Sequence, residues 1–554
     1  MAENIRAIKL EYDLLVRDVP MRDGTLLDTM IYLPADRPGP FPVVVGRTPY
    51  SRADRLDRGS LDLLSAGIAV IRQGCRGTGA SCGEFYPWEN HETDDALDTI
   101  EWLKKQPWFS GKYALAGGSY CSQTAMRAAV CGADASALQL NVPLGGVWQS
   151  MYRHGAFYFY MYTEWAVNMY VQLTKSYDDL PCWYKEGIFH KLPVMEIDRH
   201  AGLPEIPWLR EWMEHPEYDE YWKAFDIEQG FKNVTAPAYI GGGWFDIFTE
   251  GTLRCFTGLR EEAATEEARK YTKCVIGPWV HTGLVNPDLF GADNNHPDHY
   301  EKKSVKFMAG LMNDASADPL PDEPPLRYFV MGSNEWRGAD VWPPANVQEE
   351  TLYLSSGGNA NSRHGDGVLA AAPADTPADR YISNPADPVL SGGGDTPYPY
   401  PMGCNDLSGL QDRTDIVVYT SQPMQKRLTI AGRVQVQLFV KSDVPSADFC
   451  VRVTDVAPDG KAWLRCSGIR RVKALPENNV YEVTVECDST ACAFLPGHAI
   501  RLEIAGSDFP RYERNLHTGE NTFTGTAMRT AHMEILHDAA HPARVILPVL
   551  PEEA

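Results

Sequence analysis

The sequence contains no apolar run that could cross a membrane. Its longest uncharged stretch, residues 135–152, is broken by Gln139, Asn141 and Pro143, so it cannot form a spanning helix. The amino-terminal segment carries charges throughout and lacks the apolar core and cleavage site of a secretory signal. We therefore expect a cytoplasmic protein without a membrane partner.

Paired cysteine motifs and an excess of basic charge are also missing. The 12 cysteines show neither a CxxC pair nor the Cys/His spacing of a zinc site, which favours reduced core residues. Lys and Arg number 51 against 74 Asp and Glu, a net charge of −23. Such a surface repels phosphate backbones and anionic lipid, so we expect no nucleic-acid partner.

Core-forming residues are abundant. Hydrophobic residues make up 44% of the 554 positions, which excludes disorder as a description of the whole chain. A chain of this length exceeds one ordinary domain, so several units are expected.

Residues 1–144 are predicted to form the first part of an α/β domain. A hairpin with its turn at residues 22–24 precedes short apolar runs, FPVVVGR and GIAVIRQG, which alternate with amphipathic helices. This alternation of strands and helices is typical of a parallel sheet covered on both faces. The same alternation resumes over residues 236–350, so both segments are assigned to one domain.

The other two regions differ in composition. Residues 145–235 are dense in aromatic residues and indicate several helices, hence an inserted helical cap. Residues 351–554 contain alternating strands separated by turn residues, which predicts a β domain of the jelly-roll type.

The strongest local motif surrounds Ser119. The segment AGGSYCS lies between a short apolar strand and a helix of small residues. A serine on such a tight turn exposes its hydroxyl, and the next backbone N–H can face a developing oxyanion. Cys121 stands where the usual pattern has glycine, so the motif alone leaves a Gly-Ser turn without chemistry as the alternative.

A serine nucleophile needs a base, and the base needs a group that orients it. Asp246 and His281 each follow a predicted strand, where the partners should lie in a parallel sheet. The chain order Ser119, Asp246, His281 is that of an α/β-hydrolase. The predicted fold class is therefore an α/β-hydrolase fold with an inserted helical cap and a C-terminal β jelly roll.

Two polar clusters offer alternative sites. The loop at residues 293–299 contains Asp and His side chains, but it lacks the closed ligand set of a zinc site. Asp94 and Asp95 could serve as an acid/base pair, yet the dipole at the start of their helix accounts for them. We therefore predict no metal site.

Seven segments carry a family resemblance. They are RTPYSR (47–52), CRGTGASCGEF (75–85), GGSY (117–120), GGWFDIF (242–248), IGPWVH (276–281), FVMGSNEWR (329–337) and GHAIRLEIAGSDFPRYERN (497–515). Together they resemble the X-Pro dipeptidyl-peptidase (S15) superfamily, and within it the cocaine esterase-like hydrolases, along nearly the whole chain.

The resemblance implies a role for each candidate residue. Ser119 would be the nucleophile, His281 the base and Asp246 its orienting carboxylate. The hydroxyl of Tyr50 and the backbone N–H of Tyr120 would form the oxyanion hole, and a phenol is a suitable neutral donor for that role.

Substrate contacts follow from the same resemblance. Trp165 and Phe248 match positions where the resembling esterases line their acyl pocket, although either could simply belong to the core of the cap. Ser122 replaces a family glycine, and Cys75-Arg76-Gly77 replaces an acidic-x-Arg-Gly start. Neither departure removes a catalytic group.

The expected function is a serine hydrolase that cleaves a small-molecule carboxylic ester through an acyl-enzyme, without a cofactor. Amide cleavage, by an acylase or an X-Pro dipeptidyl-peptidase, is the alternative among enzymes. The α-amino acid ester hydrolases use a carboxylate cluster, and here Gln149 and Ser150 stand where it should begin. A catalytically inert binding protein is the alternative from another class, and a homo-oligomer is left open.

Overall fold

The residues expected to form a parallel sheet do so in the computed structural model. The structure describes residues 12–50, 56–89, 91–175, 187–313 and 317–552. The amino-terminal segment, Ser51, Arg52 and Cys182 lie outside the described residues.

The first segment forms six of the ten strands of the sheet that carries the candidate residues. Its elements are β1 (Tyr12–Pro20), β2 (Leu26–Pro34), β3 (Phe41–Thr48), α1 (Arg58–Ser65), β4 (Ala69–Gly74), α2 (His91–Leu103), β5 (Phe109–Gly118), α3 (Tyr120–Val130) and β6 (Ala137–Asn141). Strands β1 and β2 pair antiparallel, as the hairpin pattern predicts. Strand β3 lies between β4 and β5 and is parallel to both.

The cap is mainly helical. Its elements are α4 (Val147–Met151), β7 (Tyr152–Arg153), β8 (Ala156–Phe157), α5 (Phe159–Thr174), α6 (Ile197–His200), α7 (Pro207–Glu214) and α8 (Glu220–Lys223), with 3₁₀ turns at Ile188–His190, Val194–Glu196 and Glu228–Asn233. The short hairpin of β7 and β8 was not predicted, because two-residue strands leave no alternation to detect in a sequence.

The chain then returns to the same sheet. Its elements here are β9 (Ala238–Phe245), α9 (Thr249–Glu262), α10 (Glu266–Tyr271), β10 (Lys273–Val280), α11 (Pro287–Phe290), α12 (Lys302–Asn313), β11 (Leu326–Val330) and β12 (Glu335–Ala339), with a 3₁₀ turn at Ala292–Asn294 and a π turn at Pro297–Glu301. The sheet order is β1-β2-β4-β3-β5-β6-β9-β10-β11-β12. Because β6 pairs parallel with β9, the cap is an insertion between two neighbouring strands.

The last segment forms a second sheet of 13 strands. They are β13 (Gln348–Ser355), β14 (Val368–Ala370), β15 (Thr376–Ser383), β16 (Val417–Ser421), β17 (Leu428–Gly432), β18 (Gln435–Ser442), β19 (Ala447–Val456), β20 (Ala462–Val472), β21 (Tyr481–Glu486), β22 (Thr490–Phe494), β23 (Ala499–Ala505), β24 (Ala531–His537) and β25 (Arg544–Val549). The expected domain limit at residue 350 falls within β13, which pairs with β25 of this sheet.

The sequence predicts reduced cysteines and no membrane-spanning helix. All 11 described cysteines are free thiols, and most are buried. None of the helices in the described ranges is long and apolar enough to span a bilayer.

A buried ion cluster attaches the β domain to the cap. Arg471 of β20 donates two hydrogen bonds to Asp448, at 2.8 and 2.7 Å, and also contacts the carboxylate of Glu513. The second oxygen of Glu513 accepts the backbone N–H of Phe157 in β8 at 2.7 Å. The backbone N–H of Arg471 donates to the His154 carbonyl of the cap hairpin at 3.1 Å.

Replacing Arg471 with Leu should therefore destabilise the protein. Arg471 is 6% exposed, and removing one partner of a buried ion pair costs about 3–5 kcal/mol, since the other charge stays buried. Chemical denaturation measures the loss. Lys473→Leu is the matched control, because Lys473 and Glu217 form an exposed pair that should contribute little. Equal effects of the two variants would contradict the role of the cluster.

Candidate active site

Ser119 lies on the strained turn that joins β5 to α3. Its φ is 56°, in the left-handed region that non-glycine residues rarely occupy. The helix approaches the strand so closely that a Cβ on Gly117 would lie 2.2 Å from the Cys121 carbonyl oxygen, so only glycine fits there. Ser122, the departure from the family pattern, donates its hydroxyl to the Ser119 carbonyl at 2.6 Å.

Tyr120 is the first residue of α3. The first N–H groups of a helix have no carbonyl partner within that helix, so the Tyr120 amide is suited to bind a negative charge. Tyr120 is 3% exposed, and its side chain lies within the aromatic core of the cap. The backbone N–H of Tyr120 is therefore a candidate oxyanion donor, whereas its side chain belongs to the core of the cap.

Asp246 and His281 meet because they follow adjacent strands. Asp246 directly follows β9, His281 directly follows β10, and the two strands are parallel. The Nδ1 atom of His281 lies 2.8 Å from Oδ2 of Asp246. The other carboxylate oxygen accepts the Phe248 backbone N–H at 2.7 Å, and Asp246 is 4% exposed. The carboxylate is thus held in one orientation behind the imidazole.

The electrostatics of the pair favour a protonated imidazole. Burial alone lowers the pKa of His281, but the charge of Asp246 and the hydrogen bond to it outweigh burial, so that the pKa lies above its ordinary value. The imidazole is therefore a stronger base than a buried histidine without a carboxylate partner.

Tyr50 places a phenol beside Ser119. Its hydroxyl accepts the Nε1–H of Trp165 at 3.1 Å, and Tyr50 and Ser119 line the same cavity. Burial raises the pKa of Tyr50 to about 12, although the polar groups of Trp165 and Ser119 act in the opposite direction. The phenol thus stays neutral and keeps its proton available for donation.

One cavity of about 180 Å³ brings most of the predicted residues together. Asp246 does not line it and instead contacts His281 from behind. The lining consists of the predicted Tyr50, Ser119, Tyr120, Trp165, Phe248 and His281, together with Trp88, Leu144, Met161, Tyr162 and Ile247. The last five were not predicted from the sequence. The sequence around each of them does not distinguish a residue of a cavity wall from an ordinary core residue.

A buried polar cluster beneath Tyr120 was also missed. The hydroxyl of Tyr120 donates to Glu92 at 3.3 Å, and Arg47 donates to the Glu92 carbonyl at 2.7 Å. Neighbouring Asp95 forms an ion pair with Arg76 at 2.6 Å. This pairing gives Asp95 a structural role and argues against the acid/base alternative for its helix. Glu92 resembles any acidic residue in the first turn of a helix, so its sequence context carries no signal.

The alternative metal loop has other contacts. The His299 ring stacks on Trp336, with 4.5 Å between centroids, and Asp298 pairs with Lys302. Over the described ranges, no group of three or more His, Cys, Asp or Glu side chains is arranged to hold a metal ion.

Comparison with known proteins identifies the family. Residues 23–283 match the model of the X-Pro dipeptidyl-peptidase (S15 family), and residues 320–546 match the X-Pro dipeptidyl-peptidase C-terminal non-catalytic domain. A cocaine esterase from Rhodococcus sp. (strain MB1 Bresler) is 31% identical over 575 residues, which cover 96% of this chain and 97% of that protein. This chain belongs to the S15 family.

Two solved structures share the fold along nearly the whole chain. An aminopeptidase from the marine sediment archaeon Thaumarchaeota archaeon has a TM-score of 0.80 at 23% identity, covering 100% of this chain and 99% of that one. An α-amino acid ester hydrolase has a TM-score of 0.80 at 21% identity, covering 99% and 100%. The predicted α/β-hydrolase fold with a strand-rich C-terminal domain is confirmed, and the predicted carboxylic ester hydrolase class agrees with the name of the cocaine esterase from Rhodococcus.

The Asp246–His281 pair can be tested by titration. The pKa of His281 should lie above the ordinary value of about 6.5, and Asp246→Asn should lower it, because burial then acts unopposed. Titration of isotope-labelled histidines by NMR measures both values. Asp298→Asn is the control, since Asp298 pairs with Lys302. An unchanged His281 pKa in Asp246→Asn would refute the pairing.

Proposed function

We propose that the chain is a serine hydrolase that cleaves carboxylic esters through an acyl-enzyme. The observation that carries this proposal is the single cavity in which Ser119, His281 and Tyr50 meet, with Asp246 bonded behind His281. The esterase and ester hydrolase names of the relatives support the same reaction class.

The orientation of His281 decides its role. Because Nδ1 donates to Asp246, the neutral imidazole presents the lone pair of Nε2 to the cavity. Nε2 takes the Ser119 proton as Oγ attacks the ester carbonyl carbon. The base works only when neutral, so activity should fall as the pH drops below the raised pKa of His281.

The oxyanion of the tetrahedral intermediate lies between two donors. The Tyr50 hydroxyl and the Tyr120 backbone N–H each donate a hydrogen bond to it. When the intermediate collapses, the C–O bond to the leaving group breaks and His281 returns the proton to the departing alcohol. Water then attacks the acyl-Ser119 ester by the same path and releases the acid.

The cavity wall favours an uncharged, apolar acyl group. Phe248 packs edge-on against His281, with 5.5 Å between ring centroids, and Trp88 and Trp165 add aromatic surface. Among the described residues that line the cavity there is no acidic side chain. Ser150, at the expected start of a carboxylate cluster, is bonded instead to Tyr162 at 2.5 Å. The site therefore suits an aromatic or branched acyl group better than an α-ammonium one.

Ser119→Ala tests the nucleophile. We expect kcat to fall by about 10⁴- to 10⁶-fold, because the acyl-enzyme cannot form. Turnover of an aryl ester measures the loss, and labelling by a fluorophosphonate probe in the wild type but not in Ser119→Ala gives independent evidence. Wild-type protein that resists the probe and leaves esters intact would instead indicate an inert binding protein.

Tyr50→Phe tests the oxyanion donor. Removing one such donor costs about 10²- to 10³-fold in kcat, while substrate binding should change little because the ring is retained. Steady-state kinetics with an aryl ester separates kcat from KM. If Tyr50→Phe retained full activity, its hydroxyl would have no place in the oxyanion hole.

A further inference from the structure

Helix α5 of the cap contacts the Tyr50 loop at two points. The Nε1–H of Trp165 donates to the Tyr50 hydroxyl at 3.1 Å. The side-chain amide of Gln172 donates to the carbonyl of Pro49 at 2.8 Å. Seven positions correspond to about two helical turns, so both residues lie on one face of the helix. One rigid element therefore holds both the side chain of Tyr50 and the backbone immediately before it.

The indole of Trp165 is fixed in its plane. Its ring stacks on Tyr120 with 5.6 Å between centroids and 12° between planes. It also stacks on Trp88 at 5.8 Å and 15°. A ring that packs against two parallel neighbours cannot tilt without losing those contacts. The direction of the N–H towards Tyr50 is thus set by the surrounding packing.

The chemistry of the two groups leaves one arrangement of protons. An indole N–H only donates, whereas a phenol hydroxyl has one proton and also accepts. The Trp165 bond therefore occupies an acceptor site on Tyr50 and leaves the Tyr50 proton for another partner. In the proposed reaction that partner is the oxyanion. Accepting a hydrogen bond also polarises the phenol O–H, which strengthens its own donation.

The β domain in turn holds the start of α5. The backbone N–H groups of Phe159 and Tyr160 donate to the carbonyls of Arg511 and Pro510, at 2.8 and 3.0 Å. These amides open the helix and have no carbonyl partner within it. The helix that contacts Tyr50 is thus anchored at its amino end by the C-terminal domain.

We infer that α5 positions the oxyanion donor, with Trp165 and Gln172 acting as positioning residues for Tyr50. The inference rests on the proposed function, because Tyr50 must first be an oxyanion donor. It gives Trp165 a second role besides the cavity wall.

A double-mutant cycle tests this inference. Trp165→Phe keeps a ring in the stack but removes the N–H, and kcat should fall about 3- to 10-fold, as for the loss of one neutral hydrogen bond. In the Tyr50→Phe background the same change should alter kcat by less than about 2-fold, since the acceptor is already gone. Gln172→Met, a second variant outside the cavity wall, should also lower kcat, and again only when the Tyr50 hydroxyl is present.

Two controls separate positioning from packing. The Trp212 ring packs against Trp165 in a tilted arrangement, with 6.0 Å between centroids. Trp212 does not line the cavity, and its Nε1 has no hydrogen-bond partner. Asn168 is exposed on α5. Trp212→Phe and Asn168→Ala should therefore leave kcat unchanged, while thermal unfolding reports any loss of stability.

The outcomes are distinguishable. Equal losses of kcat from Trp165→Phe with and without the Tyr50 hydroxyl would overturn the inference and leave the proposed function intact, because Trp165 would then act as a wall alone. Full activity in Tyr50→Phe would remove the oxyanion assignment and the inference together. Full activity in Ser119→Ala would defeat the proposed function itself.

Discussion

The close approach of helix α3 to the end of strand β5 is the constraint on which the site depends. It is possible only because Gly117 has no side chain, since a Cβ would meet the Cys121 carbonyl at 2.2 Å. The sharp turn forces Ser119 to a φ of 56°, which presents its side chain to the cavity, and starts the helix at Tyr120 with a free first-turn amide. Asp246 and His281 need only follow adjacent parallel strands to reach the same point.

Burial determines the pKa values of the residues that meet at this site. Asp246 is enclosed, so its charge acts on His281 with little screening by water, and the pKa of the imidazole rises despite its burial. The same burial raises the pKa of Tyr50 to about 12, which keeps the phenol a neutral donor. In the proposed reaction, two donors held in an aromatic cavity need little reorganisation when charge develops.

Support for the site extends well beyond the sheet. The β domain is joined to the cap hairpin through Arg471 and Glu513 and to helix α5 through the carbonyls of residues 510 and 511. Helix α5 then contacts Tyr50. The C-terminal domain, which the family model describes as non-catalytic, thus helps to hold the cap over Ser119.

The sequence by itself determined the alternation of strands and helices and the candidates Ser119, Asp246 and His281. Each candidate follows a strand, and the apolar pattern of that strand can be recognised from neighbouring residues alone. The contacts of Trp165 and Glu92 required the tertiary structure. Trp165 and Tyr50 are 115 positions apart, and the direction of the indole N–H depends on how the cap rests on the sheet. Local patterns report which face of an element is buried, whereas the partner of a buried polar atom is decided only when distant elements pack together.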